Sequence, residues 1–191
     1  LIAHLTDPKT FGTDNPFPTL SADSPDFKEN GEGYKGSVIA PFNFMVIKGL
    51  EKYQRYAFAR ECAIRHMYYI LEGLSPASTK QKGDLYEAYK PNEYGPASCR
   101  SEKEFPRKKF LHYTGLSTVA LMIENVIGLN ISLPRKTVDW IIPNLEIMGI
   151  EKLSLKRNLI TILSNKSNRG WEIQMESEKL YYFTINIDIF S

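Results

Sequence analysis

At Pro134 the periodicity of this sequence changes, and that change constrains the fold more than any other feature. Before it, apolar residues recur at helical spacing; after it, they come in short β-branched and aromatic runs. From Pro41, the residues Phe42, Met45, Val46, Leu50 and Tyr53 mark one helix, with the proline suited to a first turn. A second helix is expected from Tyr56 to Leu74, with Phe58, Cys62, Met67, Tyr68 and Leu71 on its apolar surface and Gly73 and Pro76 as stops. The short connection predicts antiparallel neighbours. A third helix is expected from Thr114 to Ile127, carrying Leu116, Val119, Ala120, Ile123 and Val126, with Gly128 as its stop. Beyond Pro134, strands are expected at Val138–Ile142, Leu159–Leu163, Trp171–Met175 and Tyr181–Ile185, separated by turn clusters such as Asn165–Gly170. Trp171 to Glu176 alternates apolar and polar, as a sheet with one wet face requires.

Helices first and strands after predict two units: residues 1–133 as a helical body and 134–191 as an antiparallel β-module. The stretch up to Ile39 is expected to be irregular. Asp7-Pro8, Asn15-Pro16-Phe17-Pro18, Ser24-Pro25 and Asn30-Gly31 punctuate it, and each proline turns its predecessor away from helix. Ser75 to Lys109 also reads mostly as loop. Three helices alone would leave an apolar face uncovered, so they are expected to belong to a larger helical assembly completed by chain beyond this segment or by another chain. Leu1 without a preceding methionine fits a processed product or a fragment.

Composition narrows the function. Of 191 residues, 42% are hydrophobic and 24% charged, enough to bury a core and unlike a disordered chain. The net charge is only +2, and the single basic run, Arg107-Lys108-Lys109, reads as a solvated loop, so no nucleic-acid partner is expected. Cys62 and Cys99 could pair, but one pair in a chain of this size does not fix a redox compartment. His4, His66 and His112 are scattered, and His66 lies in an apolar-rich stretch that suits a packed or surface histidine better than a metal ligand. No apolar run approaches the ~20 residues of a membrane span. There is no nucleotide loop, no metal cluster and no nucleophile–His–Asp arrangement, so no cofactor or metal is expected.

Glu87 is one carboxylate among many, but its setting is distinctive. Tyr86 and Tyr89 flank it, and Pro91, Gly95 and Pro96 follow, in a loop between helices. Ring faces stack on the C–H surfaces of sugars, and a carboxylate can activate water. Tyr34, Phe110 and Tyr113 add rings at segment junctions.

Four segments in order then resemble one family. Gly33-Tyr34-Lys35-Gly36-Ser37-Val38-Ile39-Ala40-Pro41-Phe42-Asn43-Phe44, continuing to Lys48-Gly49-Leu50, resembles the segment Y-W-R-G-S/P-V-W-x-P-x-N-Y-x-x-x-K-G-L. That segment occurs in the trehalase-like clan, which includes processing α-glucosidase I, mannosylglycerate hydrolase and bacterial relatives. Phe17 to Pro25 resembles the segment before it. Leu85-Tyr86-Glu87-Ala88-Tyr89-Lys90-Pro91 resembles the clan's W-E-x-Y-x-P loop, and Phe110 to Leu116 its F-x-G-W-S-G/A-L helix start. The resemblance implies a mainly α chain, a partial (α/α)6 toroid followed by a small antiparallel β-sheet or sandwich, as in bacterial members that end in such a module. It implies a fragment of an inverting glycoside hydrolase acting on α-linked glucosides or related oligosaccharides.

By that resemblance Glu87 matches the general base, and Tyr34, Lys35, Asn43, Tyr89 and Tyr113 match substrate-binding positions. The partner acid, an aspartate in the family, lies upstream of these motifs and has no counterpart here. Inverting hydrolysis needs two carboxyls about 6.5–9.5 Å apart, so this chain alone is expected to be inactive. Asp23, in Asp-Ser-Pro, reads as a turn-forming residue rather than a substitute acid. Lys35 replaces an arginine and loses its planar fork. Ile39 and Tyr113 replace tryptophans, and His112 replaces a glycine. These departures point to an altered substrate ahead of a decayed site. A non-catalytic carbohydrate-binding or structural protein on the same scaffold is the alternative, and a freestanding interaction module a third reading. Family precedent favours a periplasmic or secreted location.

Overall fold

A computed structural model describes residues 1–75, 83–98, 106–142 and 147–187, which form two compact units, Leu1–Leu121 and Met122–Ser191. The described residues of the first unit carry four helices: α1 (Ile2–Thr6), α2 (Ala40–Lys52), α3 (Tyr56–Leu74) and α4 (His112–Leu121). The described residues make a mixed helix-and-strand chain with a C-terminal strand module, and no toroid is visible among them.

The opening stretch is irregular as its prolines dictate, apart from the single turn α1. Its order comes from side chains and turns. Thr10 Oγ1 donates to the His4 carbonyl at 2.5 Å, and Asn15 donates through its backbone N–H to the Pro91 carbonyl at 2.8 Å. α2 begins with Pro41 in its first turn and buries Ala40, Asn43, Ile47 and Leu50. It packs against both α3 and α4. α3 buries Ala59, Cys62, Ala63, His66, Met67, Tyr69, Ile70 and Gly73, whereas Tyr68 and Leu71, expected on its apolar surface, are exposed. Gly73 is required by space, since a Cβ there would come within 2.9 Å of the Tyr89 ring. Cys62 is a buried free thiol, pushed up to about 12 chiefly by burial. Cys99 lies outside the described residues, as does Pro76, the expected stop of α3.

α4 differs most from its expected helix. It starts at His112 and ends at Leu121, and a π-helical turn follows at Met122–Ile127. Its buried residues are Thr114, Ser117 and Leu121, while Leu116 and Val119 are 74% and 58% exposed. The inward hydroxyls are satisfied within the chain: Thr114 donates to the Tyr86 carbonyl at 3.0 Å and Ser117 to the Tyr113 carbonyl at 2.5 Å. Small polar residues inside and large apolar ones outside reverse the usual amphipathic arrangement.

The described residues of the second unit form six strands: β1 (Leu129–Ser132), β2 (Thr137–Ile142), β3 (Ile147–Ser154), β4 (Leu159–Ser167), β5 (Gly170–Ser177) and β6 (Tyr182–Ile187). β3–β4–β5 is antiparallel, but the other sheet, β1–β2–β6, is mixed because β2 and β6 run parallel. The purely antiparallel module is therefore corrected to one antiparallel and one mixed sheet. The two strands missing from the sequence reading each break the pattern used to find strands. β1 has only four residues, and β3 carries Gly149 and a register shift between Ile150 and Leu153. The core gathers Ile127, Leu129, Val138, Trp140, Ile142, Ile160 and Ile162, and the Trp140 indole donates to the Ile127 carbonyl at 2.9 Å. Gly128, at φ 89°, sits so close to the Ile141 carbonyl that any Cβ would overlap it.

Candidate active site around Glu87

Two short backbone connections assemble the site. The Val38 and Tyr89 amides each donate to the other's carbonyl, at 2.9 and 3.0 Å, so the Gly33–Ile39 segment lies beside the Glu87 loop. On the loop's other flank, the Glu87 N–H donates to the Arg107 carbonyl at 3.0 Å and the Phe110 N–H to the Leu85 carbonyl at 2.8 Å. Ile39, Ala88 and Ala97 form a small buried cluster, and the Tyr113 ring packs against it. Three of the four segments read from the sequence thus converge on one carboxylate. The fourth, upstream, is tied to the first through Thr19, whose hydroxyl donates to the Tyr34 carbonyl at 2.8 Å.

Glu87 is only 7% exposed, and its carboxylate meets four donors. Oε1 accepts from Arg107 Nη2 at 2.9 Å and from the Tyr113 hydroxyl at 3.2 Å. Oε2 accepts from Arg107 Nε at 3.1 Å and from the Arg107 backbone N–H at 3.0 Å. This is a bidentate, charge-assisted pair with two further bonds. The guanidinium bond, outweighing burial, holds the Glu87 carboxyl below the usual carboxylate range, with the backbone N–H and the Tyr113 hydroxyl adding to it. Burial and the neighbouring Glu87 anion push the Tyr113 phenol up. The Arg107 guanidinium also lies over the Phe110 ring, 4.6 Å from its centroid.

The other predicted residues divide. Tyr34 is 61% exposed and acts electrostatically on both Arg107 and Tyr113, so it belongs to the same neighbourhood. Lys35 instead pairs with Asp26 at 3.0 Å on the surface. Asn43 is fully buried and donates to the Pro16 carbonyl at 2.8 Å, leaving its Oδ1 without a partner. Tyr89 is also fully buried, its hydroxyl accepts from the Tyr86 N–H at 3.2 Å, and burial pushes it up to about 12. Asn43 and Tyr89 therefore support the site from within this chain, and neither presents a surface to a ligand. Asp23 accepts from the Ser21 hydroxyl at 2.6 Å in its turn. Arg107, read from the sequence as part of a solvated loop, is the residue that reading missed. Its spacing from Glu87 gives no periodic signal, because the partner lies twenty positions away, outside any helical or strand repeat.

Elsewhere in the same unit, an open groove of about 830 Å³ is lined by apolar side chains of α3 and α4, among them Ile70, Leu71, Leu74, Leu116 and Val119, and by Leu111 just before α4. Among the described residues no group of three or more His, Cys, Asp or Glu side chains is placed to hold a metal ion. No helix among them is long and apolar enough to cross a membrane.

Residues 128–189 match the family described as trehalase, C-terminal domain. The C-terminal region of the chain is therefore trehalase-like. Over 188 residues the chain is 58% identical to an uncharacterized protein of Borreliella burgdorferi, covering 98% of this chain and 40% of that protein. The chain thus spans less than half the length of this relative. No solved structure matches.

Proposed function

We propose that this chain is the C-terminal part of an inverting glycoside hydrolase acting on α-linked glucosides or related oligosaccharides, with Glu87 as its general base. The observation that carries the reading is the convergence of three separate segments on one buried, ionised carboxylate beside Tyr34 and Tyr113. A base in an inverting enzyme must be ionised at working pH and firmly held, and the Arg107 pair and the Tyr113 hydroxyl bond support both for Glu87. The trehalase-like C-terminal region supports the same class.

The partner acid would be carried by chain outside this segment, which accords with the greater length of the Borreliella protein. The same additional chain would be the occupant of the apolar groove on α3 and α4. Leu111, Leu116 and Val119 are more than half exposed, and further helices of a barrel would cover them. Isolated, the 191-residue chain has no glycosidase activity in this account.

One observation favours a second reading, a non-catalytic carbohydrate-binding or structural protein: every acceptor position of Glu87 is occupied. The two readings separate on turnover. The full-length protein is assayed on a panel of α-glucosides and α-mannosides beside Glu87→Gln. Loss of hydrolysis in the variant supports the base; an equal rate in both refutes it.

A further inference from the structure

An ionised carboxylate offers about four lone-pair sites, and in Glu87 all are filled. A base in that state has nowhere to receive a proton from water. The four donors are not equivalent, however. The Arg107 backbone N–H is fixed, because the Arg107 carbonyl accepts from the Glu87 N–H at 3.0 Å. The Tyr113 hydroxyl is fixed as well, on a ring packed against the Ile39–Ala88–Ala97 cluster and against Phe110 at 4.6 Å between centroids. The remaining two donors, Nε and Nη2, belong to a side chain that is 57% exposed. Rotation of that side chain would free one lone pair on each oxygen, and the two fixed donors would still aim the carboxylate. The guanidinium already borders solvent, beside exposed Lys108 and Lys109, so it could leave without crossing the core.

We propose that Arg107 is the positioning residue of Glu87: it keeps the resting carboxylate ionised and aimed, and it swings off both oxygens before Glu87 takes a proton from water. This rests on the reading of Glu87 as a general base. Departure of the guanidinium removes the main group holding the carboxyl acidic, while burial, which favours the neutral form, remains. The carboxylate becomes a stronger base at the moment it is uncovered. Resting protection and catalytic basicity are then two positions of one side chain.

The test has two arms. In the 191-residue protein, carbodiimide-driven amine coupling is followed at Glu87 by peptide mapping, with exposed Glu61 and Glu172 as internal references. Wild type is expected to couple at Glu87 far more slowly than at the references. Arg107→Met is expected to couple at Glu87 several-fold faster than wild type. Arg107→Lys, which keeps the charge but not the fork, should fall between and serves if the methionine variant does not fold by circular dichroism. Equal coupling at Glu87 in wild type and in the folded variants would overturn the proposal. In the full-length protein, Arg107→Met should move the acid limb of kcat/KM to higher pH while Glu87→Gln abolishes turnover. An unmoved limb overturns the role of Arg107 alone. Full turnover in Glu87→Gln, with faster coupling in Arg107→Met, overturns the base reading and with it the catalytic part of this proposal, leaving the ion pair as a structural contact.

Discussion

Replacing Glu87 by glutamine changes the charge and the hydrogen-bond polarity of a site whose donors stay in place. The carboxylate accepts four bonds, two on each oxygen. Glutamine keeps one oxygen, which fits best where the Arg107 N–H and Nε point, because backbone cannot reverse its polarity. Its amide nitrogen then faces Tyr113, whose hydroxyl can turn to accept, and Arg107 Nη2, which cannot. One charge-assisted bond is lost and another weakened. Such bonds contribute about 1.5–3 kcal/mol each when shielded, and an exposed partner reduces this toward about 1 kcal/mol or less. Glu87 is buried while the Arg107 side chain is 57% exposed, so the expected loss is about 2 kcal/mol at neutral pH. The pH dependence follows from the depressed carboxyl. As pH falls below the ordinary glutamate value of 4.5, the unfolded chain takes up the proton before the native one. The stabilisation is therefore complete above that value and is lost as pH falls through the native one. Urea unfolding, read by circular dichroism at neutral pH and in acid, should show a gap between wild type and Glu87→Gln that closes in acid. A gap of equal size at both pH values, or no gap at neutral pH, would refute the ion-pair account.

Three further outcomes follow from other parts of the molecule. Trp140→Phe removes the indole donor to the Ile127 carbonyl and volume from the strand core, and should cost about 2–4 kcal/mol in denaturant unfolding. His66 is fully buried against Asn15 Oδ1 at 2.9 Å, and burial lowers it from 6.5 to about 3. Stability should therefore fall as pH drops from 6.5 toward 3, beginning above the range in which Glu87 titrates. His66→Phe should flatten the upper part of that slope in the same unfolding series. Leu116→Asp, on the exposed face of α4, should lower self-association in light scattering and change the stability of this chain by about 0.5 kcal/mol or less. In the full-length protein, where this account covers that face, the same change should be strongly destabilising.

Residues whose pattern is local are legible in the sequence. Pro41 and the apolar spacing after it set α2, and the alternation of Trp171 to Glu176 set β5. The Leu116–Val119 face is apolar and exposed, in line with the uncovered helix face expected of three helices alone. Apolar spacing marks a face that is to be covered and does not say whether the cover lies in the same chain. The buried side of α4 was hidden because Thr114 and Ser117 are polar residues whose bonds go to nearby carbonyls. At the site, the motifs identified Glu87, Tyr34 and Tyr113 as neighbours. They could not show that Tyr89 and Asn43 point inward, because aromatic and amide residues serve walls and cores equally. Arg107 was invisible for a different reason: its contact with Glu87 joins residues twenty positions apart. Nothing in the local sequence distinguishes a solvated arginine from one that caps a carboxylate.

The central claim is that Glu87 activates water, and its most direct measurement is hydrolysis by the full-length protein with and without that carboxylate. Wild type should release sugar from an α-glucoside with inversion at the anomeric carbon. Glu87→Gln, folded as judged by circular dichroism, should lose about 10²–10⁴-fold in kcat. Hydrolysis by Glu87→Gln at the wild-type rate would contradict the account.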